Sequence, residues 1–155
     1  MFEATICDSV PAMSRAYDAD FYSWAMDQAD ALKRRSSNEL DWDNLAEELA
    51  SLGRTEAREL KSRYVVLIAH LLKWIVQPDR RGPSWRATII EQRKEIAQHL
   101  VENPGLKSRD AEIFTAAAEI ALPRAAGEMG VEIGDVPADP PFTLDEAKNA
   151  DWWPA

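Results

Sequence analysis

One apolar stripe constrains this chain more than any other feature. Leu45, Leu49, Leu52, Leu60, Tyr64, Leu67, Leu71 and Ile75 recur at steps of three and four residues or their sums. They hold one phase for about eight helical turns, which a strand repeat of two cannot do. Gly53 interrupts the helix formers at a cost of about 1 kcal/mol relative to Ala. The phase survives it, so the segment reads as one long helix with a bend or as two nearly collinear helices. Asp41 or Asp43 is placed to cap its start. Pro78 ends it by disfavouring helical geometry at Gln77. The stripe predicts that Leu45, Leu49, Leu52, Leu67 and Leu71 are buried, together with Ile89 and Ile96.

The flanking sequence adds shorter helices. Asp18 or Asp20 offers a cap for a helix over about 19–35, with Phe21, Trp24, Gln28 and Leu32 at helical spacing and Lys33-Arg34-Arg35 at its cation-favouring end. Ser84 offers a cap for a third helix carrying Trp85, Ile89, Gln92, Ile96 and Leu100, stopped by Asn103-Pro104-Gly105. A fourth runs from about Ser108 to Leu122, where Pro123 ends or kinks it. Thr143-Leu144-Asp145-Glu146 has the pattern of a capping box before a last short helix. Five of the nine prolines lie from Pro123 onward. The expected fold is all-α: an antiparallel bundle of four main helices with an irregular, proline-rich C-terminal tail. Its expected division is a loose arm over 1–16, a helical bundle over 17–129, and a tail over 130–155 whose short helix packs on the bundle.

Composition narrows the function classes. The chain of 155 residues is 46% apolar and 29% charged, a globular balance large enough for one core. Its formal net charge of −9 argues against nucleic acid or an anionic membrane as a general partner. The most apolar run, Tyr64 to Val76, is too short for a bilayer span of ~20 residues and contains His70 and Lys73. The first residues carry no basic start or apolar run, so a cytoplasmic protein is expected. Cys7 is the single cysteine. With two histidines and no ligand spacing between them, no metal and no cofactor are expected.

Polar groups crowd onto the core pattern between His70 and Arg93. His70 sits on the apolar stripe, where an imidazole must be a ligand, a general base or a histidine satisfied by a carboxylate such as Glu47 or Glu48. Glu47 and Glu48 follow the cap of the long helix and point about 100° apart, so they cannot form one carboxylate pair with each other. Lys73, Trp74, Arg80, Arg81, Trp85, Arg86 and Arg93 form a cationic and aromatic set. Guanidinium groups there suit phosphate or carboxylate, and the indoles could stack a cation or a base. The competing reading pairs these arginines with the chain's own acids on helices one and two. The stretch from Pro78 to Arg109 carries seven positive and four negative residues, whereas Gly127 to Ala155 carries one against seven. Trp152 and Trp153 close the acidic tail and suggest docking, on this bundle or on a second copy.

These stretches also carry a family likeness. Asp18-Ala19-Asp20-Phe21-Tyr22-Ser23-Trp24, Asp43-Asn44-Leu45-Ala46-Glu47-Glu48, His70-Leu71-Leu72-Lys73-Trp74 with Gln77-Pro78, and Ser84-Trp85-Arg86 followed by Thr88-Ile89 and Gln92-Arg93 resemble a bacterial family known as domain of unknown function 29. The resemblance runs from about Tyr17 to Trp153. It implies a small all-helical domain and no assigned activity. Three functions are therefore kept apart. The first is a non-enzymatic protein-interaction module with an unknown protein partner or a second copy of itself. The second is a hydrolase acting on an anionic substrate through His70, Glu47 and Arg80 or Arg86. The third is a nucleic-acid binder using Arg80 to Lys94.

Overall fold

The computed structural model describes residues 12–155. Among the described residues there are six α-helices and no strand: α1 (Ala12–Ala19), α2 (Phe21–Arg34), α3 (Trp42–Val76), α4 (Pro83–Glu102), α5 (Asp110–Met129) and α6 (Leu144–Lys148). The fold is all-α and of helical-bundle type. Most of the expected N-terminal arm, with Cys7, lies outside the described residues, and Ala12–Ala16 are helical. The described residues form two compact units, divided after Gly53.

In the first unit, Asp20 caps α2 by accepting the Ser23 backbone N–H at 3.0 Å. Arg35 ends the helix in the left-handed region (φ 57°), with the Ser36 N–H returning to the Ala31 carbonyl at 3.0 Å. Buried Gln28 then clamps the connector from both sides. Its amide donates to the Glu39 carbonyl at 3.2 Å and its oxygen accepts the Asp41 N–H at 2.7 Å. Asp41, the residue just before α3, accepts the Asn44 N–H and the Trp24 indole N–H at 3.2 Å. Tyr17, Phe21 and Trp24 pack their rings 4.8–5.7 Å apart, and Trp24 is the large buried one.

Helix α3 runs unbroken through Gly53, so the one-helix reading holds. The stripe along it has two fates. Leu60, Tyr64, Leu67 and Leu71 are fully buried, whereas Leu49 is 68% exposed, Leu52 63% and Leu45 half-buried. Burial of Leu49 and Leu52 was expected and is not found. Period alone cannot say whether another element covers a face.

The core of the second unit joins α3 from Leu60 onward to Ile89, Ile96 and Leu100 of α4, to Ile113, Phe114, Ala117 and Ala121 of α5, and to Val136, Phe142 and Ala147 of the tail. Helix α4 starts two residues earlier than the Ser84 cap implies. Gly82 is the cap and Pro83 takes the first helical position, where its missing N–H costs nothing. Pro123 does not end α5, which continues to Met129 and stops at Gly130 in the left-handed conformation (φ 68°). Buried Ala121, Ala125 and Ala126 on either side of Pro123 keep that face in the core and hold the helix through it. Thr143 and Glu146 form the expected capping box at α6.

Candidate functional site

The end of α3, the connector after it, α4 and the C-terminal tail converge on one cationic and aromatic corner of the second unit. Pro78 opens a single 3₁₀ turn (Pro78–Arg80) after α3, which brings Arg81 back toward the helix it has just left. The Arg81 Nε donates to the Trp74 carbonyl at 2.8 Å, satisfying one of the orphan acceptors of a helix end. A second nitrogen, Nη2, donates to the Ala155 carbonyl at 2.8 Å. Its guanidinium also lies 5.4 Å from the Trp74 ring centre.

Trp74 in turn packs on Trp153 at 4.9 Å between ring centres. Arg86 and Arg93, seven residues apart on α4, both address the Trp153 ring, at 4.7 and 5.3 Å. Two turns of helix place them on nearly the same face, so one indole can meet both cations. Trp152 packs on Phe142 at 5.8 Å. Both terminal tryptophans thus dock on this chain's own second unit, and Trp153 fills the cationic corner.

Lys73 occupies the other flank. Its ammonium is buried, donates to Glu128 Oε2 at 2.8 Å and lies 4.9 Å from the Trp85 ring centre. Glu128 also accepts from Arg124 at 2.8 Å. Arg124 and Lys73 together hold the Glu128 carboxyl at about 2, against ordinary desolvation. Arg80 is exposed.

The structure therefore brings Lys73, Trp74, Arg81, Trp85, Arg86, Arg93 and Trp153 together. It does not pair the arginines with carboxylates of helices one and two; Arg81 takes carbonyls, and Arg86 and Arg93 take an indole face. Nor does His70 take a glutamate. Its Nδ1 bonds the Val66 carbonyl of its own helix at 2.8 Å, one turn back. Burial, above all, lowers the His70 pKa and favours the neutral ring. Glu47 and Glu48 belong to the first unit, where Glu48 accepts the Tyr17 hydroxyl at 2.5 Å. Among the described residues, no three His, Cys, Asp or Glu side chains are grouped to hold a metal ion. No helix among them is long and apolar enough to cross a membrane.

Three buried polar arrangements escaped sequence reasoning. Asp110, at the start of α5, accepts the Tyr64 hydroxyl at 2.5 Å and the Lys148 ammonium at 2.7 Å, tying three helices at one carboxylate. Burial and this acid keep the Tyr64 hydroxyl protonated far beyond its usual range. His99 bonds the Glu56 carbonyl at 2.9 Å. Arg93 is only 5% exposed; its Nε donates to the Ala147 carbonyl at 2.8 Å, while Nη1 and Nη2 are buried without hydrogen-bond partners. Desolvation lowers its pKa. Partners 38 to 54 residues apart leave no local spacing to read. The Arg124–Glu128 pair, at i and i+4, was the readable exception.

No curated protein and no solved structure matches the chain. A family profile does, over residues 16–153, nearly the whole length. The chain belongs to the family described as Domain of unknown function DUF29.

Proposed function

We propose that this chain is a cytoplasmic, non-enzymatic protein-interaction module whose recognition surface lies in the first unit, with a second copy of the chain as its partner. The observation that carries this reading is the uncovered part of the α3 stripe. Trp42, 62% exposed, continues the line of Leu45, Leu49 and Leu52 at steps of three, four and three. That spacing is a seam for a second helix. Phe21, Tyr22, Met26 and Leu32 of α2 are also exposed, and its apolar side chains spread over more than half of the helix circumference at about 100° per residue. Contiguous exposed apolar surface of this kind marks interaction sites.

Charge along α3 favours self-pairing. Asp43, Glu47 and Glu48 lie along the seam, and the stretch 54–61 after it is net basic, with Arg54, Arg58 and Lys61 against Glu56 and Glu59. Two such helices laid antiparallel set the acidic start of each beside the basic stretch of the other, as an isologous interface requires. The hydrolase reading draws no support from the geometry. His70 is bonded to its own helix, and its expected acid partners lie in the other unit. Nucleic-acid binding through Arg80 to Lys94 draws none either, because Arg81 is held by two carbonyls and Arg86 lies on the Trp153 ring.

Light scattering of the full chain across a dilution series tests the reading. The expected result is a dimer that dissociates on dilution, and a monomer for L49E/L52E with an unchanged far-UV spectrum. A wild-type monomer at every concentration, or a dimer indifferent to both substitutions, overturns it.

A further inference from the structure

Two adjoining hollows open along α4 where α6 crosses it. One, of about 350 Å³, is lined by Ile90, Arg93, Lys94, Ala97, Lys148 and Ala150. The other, of about 230 Å³, shares Arg93, Ala97 and Lys148 and adds the apolar wall of Leu100 and Val101, with Lys107. No acidic side chain lines either hollow, in a chain whose net charge is −9. Lys148 is fixed there by Asp110, so at least one cation has a set position.

Arg93 distinguishes this place from the other cationic surface. Between α3 and α5, Arg54, Arg58, Lys61 and Arg109 line a hollow of about 260 Å³, but Arg109 there is already paired with Glu112 at 3.0 Å. At Arg93 the Nε alone is satisfied, and both terminal nitrogens are buried with no acceptor. A guanidinium offers five N–H donors, and buried charged donors left unmet are costly. An acceptor with two coplanar oxygens would meet two of them in the fork geometry that carboxylates fit. Apart from Arg93 and the lysines the lining side chains are hydrocarbon, with Ile90 and Val101 both exposed.

We propose that the α4–α6 hollow binds an aliphatic monocarboxylate, its carboxylate on Arg93 within the field of Lys94 and Lys148, and its hydrocarbon tail along Ile90, Ala97 and Val101. The walls are apolar and few in polar groups, as in small-ligand sites generally. The tail of the ligand explains the uncovered Ile90 and Val101; the head explains the unmet Arg93 nitrogens. This site lies on α4 and α6 of the second unit, shares no residue with the α3 seam, and stands or falls separately from the self-pairing reading.

Calorimetric titration of the full chain with decanoate, below its micelle-forming concentration, tests the proposal. Decanol and acetate serve as the headless and tailless controls. Saturable one-to-one binding of decanoate is expected, with both controls weaker by at least about tenfold. Arg93→Lys should weaken decanoate by a similar factor. Because Arg93 also supports the fold, Val101→Asp, on an exposed position, gives a second measurement and should weaken decanoate while leaving the far-UV spectrum unchanged. Decanol binding as tightly as decanoate, no saturable heat with decanoate, or a Val101→Asp variant of unaltered affinity would each overturn the proposal.

Discussion

Helix α3 carries one stripe through two environments. From Leu60 to Leu71 the stripe is sealed by α4, α5 and the tail; from Trp42 to Leu52 the same phase is largely open. The residue types barely differ, leucines in both halves. What differs is whether the chain supplies a covering element. The second unit also buries polar groups beside its leucines, at Tyr64, Asp110, Lys73 and Arg93, and most of their hydrogen bonds are met. A sealed stripe serves stability, and an open one is available for association.

Substitutions can break or sharpen this contrast, the largest effect coming from the buried polar tether of the sealed half. Asp110→Ala leaves the Lys148 ammonium and the Tyr64 hydroxyl without their acceptor and should destabilise the second unit by about 3–5 kcal/mol, the range for breaking a buried pair. Denaturant unfolding followed by far-UV circular dichroism reads it, and a loss below about 1 kcal/mol would mean the tether is dispensable.

Next come matched leucine truncations on the one helix. Leu67→Ala should cost about 2–5 kcal/mol through lost burial and the cavity left behind. Leu49→Ala in dilute protein should stay within about 0.5 kcal/mol, as an exposed position does. Equal effects would erase the distinction between the two halves.

A smaller effect is expected at the end of the sealed half. Trp153→Ala removes the packing on Trp74 and the ring beneath Arg86 and Arg93. One aromatic contact, one exposed cation–π contact at Arg86 and one buried at Arg93 together predict about 3 kcal/mol. Thermal unfolding measures this, and an unchanged midpoint would make the docked tail an energetic bystander.

The smallest is a pH effect confined to the sealed half. His70 has a folded-state pKa below its unfolded value of about 6.5. The unfolded chain therefore binds the extra proton first, so stability falls as pH drops from about 6.5 toward the folded-state pKa. His70→Gln should flatten that part of the profile. A profile of the same slope in the variant assigns the effect to other groups. The Glu128 carboxyl, held at about 2, acts lower, with its contribution lost from about pH 4.3 down to about 2.

The period of the α3 stripe, the Asp20 and Asp41 caps, Pro78 as a stop and the Thr143 capping box were all legible, because each is set within one or two turns of chain. So was the company kept by Lys73, Trp74, Arg81, Trp85, Arg86 and Arg93, which one short connector gathers. The exposure of Leu49 and Leu52 was not, since cover is a property of other elements. Whether Pro123 ends α5 or lies within it was left open for the same reason, as the helix is held by what Ala121, Ala125 and Ala126 touch. The partners of Arg93, Asp110 and His99 come from more than thirty residues away, and no spacing rule reaches that far.

The turn between α2 and α3 has a consequence for behaviour in salt. On its inner side it is fastened by neutral, buried groups, Gln28 and the Trp24 indole. On its outer side Arg34 joins Asp30 at 2.8 Å, Glu39 at 2.6 Å and Ser36 at 3.1 Å, all in contact with solvent. Molar salt shortens the screening length to about 3 Å and weakens the outer fastening while leaving the inner one intact. The connector will therefore fray on one side at high ionic strength and keep its register on the other, so that brine and dilute buffer present two surfaces on the same backbone.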